Sequence, residues 1–203
     1  GALGLVAQSI GAGGGIFRQH TINFDLSQTS LALTLGGVNN ANGNGGTINI
    51  HADEKTTISG TLLAQGGKTA GDGGVINTTS NGVVQVTDTA VVKAGVRGAT
   101  GSAGSWNVTA GAFKADTTNA GVISASLNNN NVAIKVSSAG CAQTGNCNEA
   151  NNVIASSGLT QGQLEVTQDA MIQKTSPILT SFAMEATGAS TYSPQVQNRI
   201  LVD

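Results

Sequence analysis

The chain has 203 residues, a net charge of −2 and only 10% charged residues, against about 25% in an ordinary globular domain. Without a basic excess, electrostatic binding to nucleic-acid phosphates is not expected, and no stretch reaches the roughly 18 apolar residues of a membrane-spanning helix. Hydrophobic residues still make up 39%, too many for a disordered chain, and with 3% aromatics the core falls to Val, Ile, Leu and Ala.

The chain opens Gly1-Ala2-Leu3-Gly4, without an initiator Met or a charged-then-apolar leader. It therefore reads as a segment of a longer protein, with any export signal upstream. Short alternating runs follow: 21–26 (TINFDL), 31–35 (LALTL), 47–50 (TINI), 57–63 (TISGTLL), 75–77, 83–87 (VVQVT), 91–94 (VVKA) and 105–108 (SWNV). The second half adds 122–127, 132–136 (VAIKV), 163–166 and 170–173. Apolar and polar residues alternate within them, and Gly/Asn clusters such as 39–46 and 66–74 separate them, as strands require. No sustained helical stripe is evident.

The runs repeat. Gly45-Gly46-Thr47-Ile48-Asn49 returns as Gly73-Gly74-Val75-Ile76-Asn77, and more loosely as Gly104-Ser105-Trp106-Asn107. Self-similarity at about 30 residues points to stacked units. The expected fold is all-β, a right-handed parallel β-helix with inserted loops. It would span 1–175, with a loop insertion near 128–152 and a tail or cap over 176–203. A propeller lacks its aromatic markers, and a sandwich lacks its tight hairpins.

Candidate sites are sparse. Cys141 and Cys147, with five residues between them, suit a disulfide-closed loop in an oxidising compartment, with two free thiols as the alternative. A contact surface over 128–152 would include Asn128, Asn129, Asn130, Asn131, Thr144 and Asn146; an ordinary pinned insertion fits equally well. Trp106 is a candidate for sugar stacking, with core packing favoured. His51 and Asp53 share one face of a strand, where a solvated polar surface is preferred over a metal site. The acids Asp25, Asp53, Glu54, Asp72, Asp88, Asp116 and Asp169 are scattered. No nucleophile elbow or phosphate loop is present, so no catalytic residue, metal or cofactor is expected.

Residues 4–15 (GLVAQSIGAGGG) resemble the "VAQSIGGGGG" repeat of very large bacterial surface proteins. Within 43–110, GNGGTINI, ISGTLLAQG, GDGGVIN and GSAGSWNV resemble filamentous-haemagglutinin repeats. The resemblance covers about half the chain and lacks the Asn-Pro-Asn-Gly motif of the two-partner secretion domain. It implies a secreted or surface-exposed exoprotein of a Gram-negative bacterium, acting as an adhesin or haemagglutinin. On that reading the segment is a non-enzymatic rigid stalk presenting loops, passed out through an outer-membrane translocator by an autotransporter or two-partner route. Its partners would be a receptor or glycan on a host or neighbouring cell, with no nucleic acid and no membrane insertion. The alternative is a polysaccharide-binding or polysaccharide-cleaving β-helix domain.

Overall fold

A computed structural model describes residues 21–31, 42–137 and 148–187. The main sheet is parallel, in the order β1 (Thr21–Leu31), β2 (Thr47–Ile58), β4 (Val75–Ser80), β7 (Ser105–Ala110), β9 (Asn131–Ser137) and β11 (Phe182–Thr187). The second half of β2 also pairs with β5 (Val83–Val86). Two smaller parallel pairs join β3 (Thr61–Leu63) to β6 (Val91–Lys93), and β8 (Phe113–Ala115) to β10 (Leu164–Val166). Helix α1 (Thr117–Leu127) follows β8, and helix α2 (Asn148–Ser156) precedes β10.

The sequence repeat sets the register of the main sheet. Ile48 pairs with Ile76, Ile76 with Trp106, and Trp106 with Val132. One step along, Ile50, Thr78, Val108 and Ile134 form a second row. Strand alternation sends these side chains inward, and all eight are buried. The outward rows are polar: Asn77 donates to Asn49 at 2.6 Å, and Asn107 donates to Asn77 at 2.9 Å. Each amide thus satisfies the next across the sheet.

The all-β class is corrected by the two helices. Ala120, Ile123 and Leu127 of α1 fall at i, i+3 and i+7 and enter the main core cluster. The carboxylate of Asp116 caps this helix, accepting from Asn119 N at 2.9 Å. Residues 122–127, expected as a strand, therefore turn through this helix, and 170–173 form no strand. Helix α2 places Ile154 with Val83, Ala112 and Leu159 in a second cluster. Gly158, at φ +73°, ends that turn in the left-handed region that glycine adopts without strain.

The fold is mixed α/β: a parallel sheet flanked by two helices, not an all-β right-handed β-helix. The resemblance to haemagglutinin-type adhesin repeats fails with it, as does the rigid β-helical stalk presenting loops, together with its polysaccharide-binding or -cleaving alternative. The described residues form a compact α/β domain instead. Residues 182–187 of the expected tail are β11, paired with β9.

Candidate functional site

The expected site residues take different places. Trp106 is fully buried, and its indole N–H donates to Thr78 Oγ1 at 3.0 Å. No face of the ring is left for a sugar, so Trp106 is a core residue. The run Asn128–Asn131 does not project; it is braced from both sides. Asn128 Oδ1 accepts from the backbone N–H groups of Thr175 and Ser176 at 2.9 and 2.8 Å. Asn129 Nδ2 donates back to Ala125 O at 3.1 Å. Asn130, fully buried, accepts from Ala94 N at 3.1 Å and donates to Ser126 Oγ at 3.0 Å. Asn131 Oδ1 accepts from Ser181 N at 2.9 Å. Cys141, Cys147, Thr144 and Asn146 lie outside the described residues, and among the described residues there is no disulfide.

The feature that sequence reading missed is a cavity of about 360 Å³ between the helices and the sheet. That is within the range of small-ligand sites. Val83, Val84 and Leu159 give it an apolar floor, and Gln85, Asn119, Ser156 and Ser157 supply hydrogen-bonding groups. Lys55, Lys114 and Asp116 add charge.

Local structure explains each wall. On β5, Val84 and Val86 enter the main core, while Gln85 on the opposite face is exposed. On β8, Phe113 and Ala115 are buried and Lys114 between them faces out. Asn119 ties three elements together: its side chain accepts from Val86 N at 3.2 Å and donates to Lys114 O, while its own N–H is bound by Asp116. Residues Ser156 and Ser157 stand at the end of α2, each hydroxyl turned onto Val153 O at 2.8 and 2.9 Å.

The charges are unevenly satisfied. Lys114 Nζ lies 3.4 Å from Glu165 Oε1, with the carboxylate the more buried partner. Asp116 is engaged in capping α1. Lys55 is the lining cation without an ion pair among the described residues. No helix among them is long and apolar enough to cross a membrane, and no group of three or more His, Cys, Asp or Glu converges there.

No protein-family model matches the chain, and neither a curated protein nor a solved structure matches it. The functional reading therefore rests on the cavity.

Proposed function

We propose that the chain is a non-catalytic binding domain whose cavity holds a small, singly charged anion bearing hydroxyl groups. The carrying observation is the cavity itself, with the Lys55 ammonium, an apolar floor and a rim of Gln85, Ser156 and Ser157. A carboxylate faces Lys55, hydroxyls exchange hydrogen bonds with the rim, and a carbon skeleton covers Val83 and Leu159. Asp116 on the same wall disfavours a doubly charged phosphate. The acidic end of a cell-surface glycan belongs to this class. A secreted or cell-surface location, with export through an outer-membrane translocator, is proposed alongside it; protease treatment of intact cells tests that part by itself.

The test is titration calorimetry of the folded chain with glucuronate, beside glucose and glucose phosphate. Saturable binding of glucuronate, returned chemically unchanged, is expected. Lys55→Met should weaken it about tenfold or more, a loss of ~1.4 kcal/mol. Equal binding of glucose, or binding indifferent to Lys55→Met, would overturn the reading.

A further inference from the structure

On the outward face of the main sheet, His51 and Asp53 sit two residues apart on β2 and so share a face. Nε2 of His51 lies 3.4 Å from Asp53 Oδ1. The other ring nitrogen, Nδ1, is 2.8 Å from Thr79 Oγ1. The Thr79 hydroxyl has one proton, which it donates to Ile50 O at 3.1 Å. Toward His51 it is therefore an acceptor, so Nδ1 carries the ring hydrogen. In the neutral ring of that tautomer Nε2 presents a lone pair to the carboxylate oxygen, whereas the imidazolium donates Nε2–H to it, so a cation binding between them takes the place of that proton.

We propose that this pair binds a divalent transition-metal ion, with His51 Nε2 and Asp53 Oδ1 as its protein ligands and water in the remaining positions. The separation fits: metal–nitrogen and metal–oxygen bonds of about 2.0–2.1 Å in a tetrahedral site put two donors ~3.4 Å apart. The outer hydrogen bonds fit as well. A metal-bound imidazole usually donates its other N–H to a fixed acceptor, as Nδ1 does to Thr79. Asn81 Nδ2 donates to Asp53 Oδ1 at 3.4 Å and orients the carboxylate. Both ligands are open to solvent, with side-chain exposures of 35% and 61%. One imidazole and one carboxylate favour Zn²⁺ or Ni²⁺ over Ca²⁺ or Mg²⁺, which prefer an all-oxygen shell.

The experiment titrates the tag-free chain with Zn²⁺ by calorimetry and follows the imidazole nitrogens of both histidines by NMR. One saturable Zn²⁺ site per chain is expected, with a shift of His51 Nε2 alone. His51→Ala should abolish this site, Asp53→Asn should weaken it about tenfold, and His20→Ala should leave it intact. Because His51 is on an exposed strand face, circular dichroism of each variant separates lost binding from lost fold. Absence of a saturable site in the parent chain, or binding unchanged in folded His51→Ala, would overturn the proposal. So would a metal-free His51 that carries its hydrogen on Nε2.

Discussion

Asn130 shows how one side chain closes a junction that composition disguises. Its amide accepts from Ala94 N and donates to Ser126 Oγ inside the core, and donates to Asn131 O at its edge. Asn130→Ala leaves the Ala94 N–H buried without an acceptor, a cost of about 1–3 kcal/mol. Asn129→Ala, beside it, removes only a more exposed bond to Ala125 O and should change stability by less than ~0.5 kcal/mol. Urea denaturation of the two variants gives the comparison, and equal midpoints would contradict the assigned roles. Four consecutive asparagines read as a loop because Asn favours turns. Its capacity to donate and accept together is what suits it to this junction, and that depends on strands and segments distant in sequence. Trp106 was legible by contrast: its alternation with Val108 in a strand marks both as inward.

Helix α1 was hidden at the level of the element. Its inward stripe was there to be read, with Ala120, Ile123 and Leu127 at helical spacing behind Asp116 as a cap. Two things masked it: Asn119 and Ser126 interrupt the apolar stripe, and Val122-Ile123 are β-branched residues that favour strands. Packing against the core overrides that propensity. Two substitutions should move this helix in opposite directions. Gly121 is exposed, and a Cβ there meets no atom within 4 Å, so Gly121→Ala should stabilise by ~0.5–1 kcal/mol. Asp116→Ala removes the acceptor for Asn119 N and should destabilise by about 1 kcal/mol. Thermal denaturation of both variants reads the sign directly. The cavity was illegible for a related reason. Its lining comes from β2, β5, β8, α1 and the end of α2, and sequence spacing gave no hint that these meet.

Across the whole molecule, the glycine-pair repeat marks where one strand's entry presses against the end of another. A Cβ on Gly45 would lie 2.1 Å from Ala64 O, on Gly73 1.9 Å from Ala94 O, and on Gly104 2.2 Å from the same Ala94 O. The approach is held by hydrogen bonds: Gly74 N donates to Ala64 O at 2.7 Å, and Gly104 N to Ala94 O at 3.1 Å. The motif was visible in the sequence, and so were the strand pairs it puts in register. Its physical cause was not, because the opposing carbonyls belong to loops after β3 and β6. Gly104→Ala is the sharpest test, since its Cβ would also meet Gly74 O at 2.1 Å. Both obstacles are backbone atoms, so relief requires the strands to move apart. A loss of about 3 kcal/mol is expected, together with faster amide exchange in β4 and β7, which flank the displaced corner. Gly121→Ala is the matched control, adding the same methyl in open space. If hydrogen exchange and denaturation midpoints for Gly104→Ala stay at parent values, the corner relaxes freely and the repeat needs another explanation.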